Sequence, residues 1–585
     1  MTPHRLPAAL LAVALPLSVG CGGGEAAPDG AAVGSPGTNA AGTSGDFAGA
    51  AGGNTDGLPS AGGTGGVTGL LPSGEAGSGA GHCAATAVGG RVLRRLTALE
   101  LNNSLRDIFQ LPSWSGMDLT PDEVNDLGFG NGAAELVLTA GRSREILNGA
   151  EALVGSVDWP TLLSRFPECA AAPGSTSCAD SVLSGLGKRL FRRALTPSEL
   201  DSYTALFAEL QAQATFDDAL RWSTVALIQS PHTLYRSELG EASADPGDSP
   251  TGYILNGYEI ATALAYTYGG TTPSDDLLAA AERGELSDAT TRATWAQQLQ
   301  ALPSGRSQFD QFLQGWLRYQ DVRNLAKNAA VFPEFAGVQN LMAAETRAFI
   351  EQVVFAAHGT AADLLTSPTT VIDDALAQYY GFPAVGAAPT SITRPTGRGI
   401  GLLAQGALLS KLALPDSSSP TQRGAFVREK LLCQELPPPP ANVAAVPEFR
   451  EGVTTRQRYE DLHTADPGCN ACHQLTDQIG FAFEHYDGAG RYRDQESGQA
   501  INAQGKLVGT DVVFDGLEQA ATAISQLPAL ESCAVLHWVS FASGLERTPS
   551  ECLATQVLQN VGANAPLEGA LTGYAAIAHF TQRSP

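Results

Sequence analysis

Apolar residues recur along most of this chain at intervals of three and four, and many of the recurrences begin at recognisable starts. Thr97 and Glu100 have the spacing of a reciprocal cap, in which each side chain satisfies the other residue's backbone N–H. Leu101, Leu105, Ile108 and Phe109 then fall on one face of the predicted helix. Thr196-Pro197-Ser198-Glu199 repeats the device, with proline at the first helical position and Leu200, Tyr203, Phe207 and Leu210 as the stripe. Thr120-Pro121-Asp122-Glu123 and Thr548-Pro549-Ser550-Glu551 predict two more starts, and Thr272-Pro273-Ser274-Asp275 a looser one. The segments that follow do not resemble one another, so these are helix punctuation and not a repeat. Alternating patterns are scarce: Ala503 to Phe514 predicts one short β-hairpin. The fold expected is mainly α, with several packed helical modules.

The first residues follow other rules. Arg5 precedes an apolar stretch from Leu6 to Leu17, and Ser18, Val19 and Gly20 lead to Cys21. The stretch is too short to span a bilayer and has the layout of a secretory signal. A cysteine after small residues resembles a bacterial lipobox, with Ser18 where leucine is usual. That resemblance implies lipidation of Cys21, each buried methylene contributing roughly 0.8 kcal/mol to membrane attachment. From Gly22 to about Gly81 the chain is Gly, Ala, Ser, Thr and Pro, a composition that cannot bury enough apolar surface to order itself. A tether is expected there. Pro437 to Pro440 form a polyproline spacer between domains.

Charge narrows the choice of partner. With 35 Lys+Arg against 60 Asp+Glu the chain carries a formal −25 and has no basic cluster, so a nucleic-acid role is not expected. No later segment is apolar for long enough to be a membrane span.

The strongest chemical signature is Cys469-Asn470-Ala471-Cys472-His473. Two cysteines at this spacing can form thioethers to the vinyl groups of one haem, while the next residue, histidine, supplies an axial nitrogen to the iron. Cys469 and Cys472 are thus the candidate attachment points and His473 the proximal iron ligand of one haem c. A zinc site completed by His463 and His485, or a dithiol pair, are the competing readings. Methionine is absent downstream of the motif, so a sixth ligand would come from histidine, with His463 and His485 the nearest candidates and His537 and His579 further along. Two axial histidines suit electron transfer, whereas an open iron face suits peroxide or oxygen chemistry. Of the nine cysteines, one is assigned to lipid and two to haem. The remaining six are Cys83, Cys169, Cys178, Cys433, Cys533 and Cys552, and in an exported protein they suit three disulfides. Six cysteines allow 15 pairings. The local choices are Cys169 with Cys178 and Cys533 with Cys552, leaving Cys83 for Cys433.

Arg398-Gly399-Ile400-Gly401-Leu402-Leu403, Ser418-Ser419-Pro420-Thr421-Gln422-Arg423-Gly424 and Val427-Arg428-Glu429 lead into the proline run. Beyond the cysteine motif come Gly480-Phe481-Ala482-Phe483-Glu484-His485-Tyr486-Asp487 and Gly490-Arg491-Tyr492-Arg493. Upstream stand Arg94-Arg95-Leu96-Thr97 with Asn102 to Asp107, Phe191 to Pro197, Gln229-Ser230-Pro231-His232 and Phe332-Pro333-Glu334-Phe335. Together these resemble the planctomycete-type cytochrome c-like proteins built from a string of domains of unknown function, also common among myxobacterial lipoproteins. Two local departures concern loop shape: Asp477-Gln478 where the family often has Asp-Pro, and Tyr268-Gly269 where it often has tryptophan. The resemblance supports architecture and the haem motif but supplies no substrate.

The organisation expected is a signal over 1–21, a tether over 22–82 and helical modules over 90–155, 165–241 and 250–385. A cytochrome c-like module over 397–500 and a C-terminal helical module over 501–585 complete it. The function expected is an exported, membrane-anchored c-type haem protein of the cell envelope, at the outer membrane, transferring electrons, with a redox partner protein or an extracellular polymer recognised by the residues ahead of the haem module. A haem peroxidase or oxygenase and a non-redox surface scaffold are the alternatives.

Overall fold

The computed structural model describes residues 88–242, 252–437, 450–465 and 467–584. The leader, Cys21, the tether and the proline spacer beyond Pro437 lie outside the described residues.

Helices dominate, and several starts are those the sequence marks. Thr97 caps Ala98–Phe109 and Thr196 caps Pro197–Gln211, each with the reciprocal glutamate bond in place. In the looser start it is Ser274, not Thr272, that caps Asp275–Glu282. The helix expected from Thr548 runs Arg547–Val561, with Glu546 at the cap position and Pro549 inside the first turn. At Thr120 to Glu123 there is no helix. Asp122 instead accepts from the Ala98 backbone N–H (2.6 Å), capping a helix earlier in the chain, and pairs with Arg95 (2.7 Å) and Arg142 (3.1 Å). A cap signature does not reveal whose orphan N–H groups the carboxylate will serve.

Two hydrophobic cores result. The first gathers Leu96 to Leu234 from five long helices, Ala98–Phe109, Ala140–Ser156, Thr176–Phe191, Pro197–Gln211 and Phe216–Gln229, and Tyr266 reaches into it. The second runs from Leu255 to Phe580 with Leu127 and Phe129 added, and is centred on aromatic rings. Phe312 stands 5.5 Å from Trp316 and 5.2 Å from Trp538. The segment after residue 500 therefore shares one core with the central helices and with the helix that carries the cysteine motif.

Strands are few and short. The expected hairpin forms, Gln504–Lys506 against Val513–Asp515. Val92–Arg95 (β1) also pairs antiparallel with Tyr235–Glu238 (β2), and Gln582–Arg583 pairs with Tyr253–Ile254, drawing both ends of the described chain together. Among the described residues no helix is long and apolar enough to cross a membrane.

Cys169 and Cys178 are joined as expected. Cys433, however, bonds Cys533, so neither Cys533–Cys552 nor Cys83–Cys433 forms; Cys552 is itself disulfide-bonded. Packing brings the turn after Leu432 against helix Pro528–Ser543, where Cys533 lies 3.4 Å from the Lys430 carbonyl. That proximity is created by the core and not by sequence separation.

Candidate metal and cofactor site around His473

The cysteine motif occupies the start of helix Pro467–Gly480. Cys469, Cys472 and His473 stand at i, i+3 and i+4 and so share one helix face. Neither cysteine is disulfide-bonded, and both are half-buried.

Two glycines decide how closely this helix is held. A Cβ on Gly424 would lie 1.9 Å from the Thr476 carbonyl oxygen, and one on Gly480 would lie 1.9 Å from that of Pro420. Helix Pro420–Phe426 therefore meets the motif helix backbone to backbone, which only glycine permits. Arg423, fully buried, locks the far side by donating to the carbonyls of Phe483 (3.0 Å), Tyr486 (2.9 Å), Asp487 (2.8 Å) and Leu409 (3.3 Å). Burial lowers its pKa to about 10, against the pull of Glu484 at 3.7 Å. Glu484 is pushed above the usual carboxylate range by burial, with Arg493 and Arg423 opposing, and accepts from Ser418 and Arg493 at 3.0 Å each. Arg428 donates to the Leu475 carbonyl (2.5 Å) from the same neighbouring segment.

That frame delivers His473 to a carboxylate. Asp477, one turn on and almost fully buried, lies 3.5 Å from His473 Nδ1 and 2.5 Å from His463 Nδ1. Thr421 donates to its other oxygen at 2.6 Å and sits 3.4 Å from His473 Nδ1. Burial pushes the Asp477 pKa up, but hydrogen bonds from His463, His473 and Thr421 outweigh it and hold the group below its ordinary value. The two imidazoles stack with ring centroids 3.5 Å apart and planes 23° from parallel. Tyr459 meets His463 edge-on at 5.2 Å. With both Nδ1 atoms turned to one carboxylate, the Nε2 atoms are left as lone-pair donors, the usual arrangement of metal-binding histidines. His463, His473 and Asp477 offer ligand atoms within 4.8 Å of one another.

The structure thus joins His463 to the motif but beside His473, on the same carboxylate. His485 lies elsewhere, its Nδ1 3.0 Å from the Arg493 carbonyl and its ring stacked on Tyr492. His537 is sealed among Trp316 and Phe129, and His579 is buried near Tyr574. Asp477 and Thr421 are the participants that motif reading passes over. The i+4 spacing from His473 signals Asp477; nothing local signals Thr421.

Four family models match in order. Residues 94–158 match PSD3 (DUF1587), 178–238 PSD5 (DUF1595), 255–382 PSD4 (DUF1592) and 398–496 PSCyt3 (DUF1588), each described as a protein of unknown function. Together they take in more than half of the chain and reproduce the string of domains found in the planctomycete cytochrome c-like proteins. The chain belongs to that family. No curated protein and no solved structure matches it. The family's fourth segment contains the whole His473 cluster, including Thr421, Arg423 and Glu484. Tyr268, where the family often has tryptophan, lies in the buried turn Ala265–Gly269, 5.8 Å from Trp538, and donates to the Leu571 carbonyl at 3.1 Å. That departure belongs to core packing and not to the site.

Proposed function

We propose that this protein carries one covalent haem c on helix Pro467–Gly480 and transfers electrons. Cys469 and Cys472 would hold the haem and His473 would ligate its iron. One observation carries the reading: the Cys-x-x-Cys-His face ends in a histidine whose Nδ1 faces the Asp477 carboxylate at 3.5 Å, leaving Nε2 for iron. When bound, the haem supplies a one-electron redox couple. The chain's own residues do the rest. Asp477 fixes the ring plane and tautomer of His473 and raises its basicity, and Thr421 holds the carboxylate in turn. His463 shares that carboxylate and stacks on one face of the His473 ring. Anchorage through Cys21 at the outer membrane, with a redox partner protein or an extracellular polymer, completes the proposal.

The test is a pyridine haemochrome spectrum and intact mass on protein made in a host with cytochrome-maturation machinery. One porphyrin per chain, lost in C469A/C472A, is expected. An unmodified mass overturns the reading.

A second reading rests on the His463–Asp477–His473 triad itself, whose geometry suits a non-haem metal ion. Metal analysis of protein made without the maturation machinery separates the two. A stoichiometric ion lost in Asp477→Asn would favour the triad as a metal centre.

A further inference from the structure

Far along the chain from the cysteine motif, three arginines surround one cavity of ≈ 60 Å³. Arg94 and Arg236 are directly opposed in the β1–β2 pairing, a placement that sets like charges on one face. Arg583 arrives from the C-terminal strand. Counter-charge comes from two carboxylates. Glu238 lies 2.7 Å from Arg583, 3.2 Å from Arg94 and 3.7 Å from Arg236. Glu100 stands 4.0 Å from Arg236 while serving the Thr97 backbone N–H at 2.8 Å. All five side chains are buried, so the cluster holds one positive charge in excess.

Buried cations ordinarily find partners. Here Nε and Nη1 of Arg94 and Nε of Arg236 have no hydrogen-bond partner in the protein, and both residues line the cavity. Burial, then Arg236, lowers the Arg94 pKa to about 10, as expected of a cation short of counter-charge. Gly544 keeps the space open: a Cβ there would stand 2.9 Å from Arg94 Nη1. By the same measure one water needs about 10–15 Å³, so the volume admits a small polyatomic ion.

We infer that this cavity binds one small tetrahedral oxyanion, phosphate or sulfate, through Arg94 and Arg236. Guanidinium N–H groups match the oxygens of such an ion, and its negative charge offsets the excess. The anion would tie together the first, second and third family segments and the C-terminal run, because Arg94, Arg236, Thr267 and Arg583 come one from each.

The full chain, purified in chloride buffer, is titrated with inorganic phosphate and with sulfate by calorimetry, and its unfolding midpoint is followed in parallel. Both anions strengthen most folds by exclusion from the surface, so the informative quantity is the difference between wild type and variants. One-site saturable binding is expected, weakened at least tenfold in Arg236→Met. Ala133→Leu is expected to abolish it too, because Ala133 lines the cavity and the longer side chain fills it with all three arginines in place. This second variant stands if Arg236→Met fails to fold. Absence of heat with the same phosphate-induced midpoint shift in wild type and Ala133→Leu, or unaltered binding in Ala133→Leu, overturns the proposal.

Discussion

Arg423 and Arg236 are 0% and 2% exposed, yet their nitrogens meet different surroundings. Arg423 delivers four hydrogen bonds to the carbonyls of Leu409, Phe483, Tyr486 and Asp487 and has Glu484 alongside. Arg236 meets carboxylates only at 3.7 and 4.0 Å, and its Nε, the atom nearest Glu238, makes no hydrogen bond. Where donors are met by backbone, arginine is framework and fixes a loop against a helix. Where acceptors run short beside a cavity, part of the stabilisation waits for a ligand, which then adds to folding by mass action.

The largest effect expected from breaking this contrast is on Arg423→Met. It orphans buried carbonyls and leaves the Glu484 carboxylate with Arg493 as its one remaining cation, so about 3–5 kcal/mol should be lost in urea unfolding. Arg236→Met in phosphate-free buffer should cost under about 1.5 kcal/mol, since few hydrogen bonds are lost and like-charge repulsion with Arg94 is relieved. Equal losses would erase the distinction.

His537 sharpens it from another side. Both its ring nitrogens are buried without a hydrogen-bond partner, like Nε and Nη1 of Arg94, but an imidazole can shed its charge. Burial, then Lys430 and Arg547, lowers its pKa from 6.5 to about 3. Between those values the unfolded chain binds a proton that the folded chain refuses, so stability falls as pH drops below 6.5. The loss should be about 1.4 kcal/mol per pH unit, near 2 kcal/mol by pH 5, and His537→Phe should flatten that slope in pH-dependent denaturation.

Smaller changes test the framework itself. Gly424→Ala would drive a methyl into the Thr476 carbonyl, costing about 1–3 kcal/mol and lowering the yield of haem-loaded protein under the proposed function. Thr97→Ala removes one cap in the N-terminal core and should cost about 1 kcal/mol by thermal unfolding, with the His473 cluster unaffected.

Much of the helical grammar was legible because capping is local. Thr97 and Thr196 carry their partners three residues away, and the bond forms whatever the rest of the chain does. Asp122 shows the limit, since the same letters serve a helix that begins before them. The cysteine motif was legible for the same reason as the caps, being five consecutive residues. His463 could be nominated by proximity, but its sharing of Asp477 depends on two helices meeting. His485 lies nearly as close in sequence and is held away by Tyr492 and the Arg493 carbonyl. Disulfides divide likewise: Cys169–Cys178 closes over nine residues, whereas Cys433–Cys533 spans a hundred and follows the core.

By itself the sequence determined the mainly α class, the better-capped helix starts, the short hairpin at Phe514 and the five-residue motif from Cys469 to His473. Each follows from forces acting within a turn or two of chain. Only tertiary structure decided that Thr421 and His463 would meet Asp477 beside His473, that Cys533 would bond Cys433, and that Arg94, Arg236 and Arg583 would share one cavity. Those pairings join residues tens to hundreds of positions apart, and they arise because burial brings together groups whose charges and hydrogen bonds must then be satisfied by whatever lies beside them.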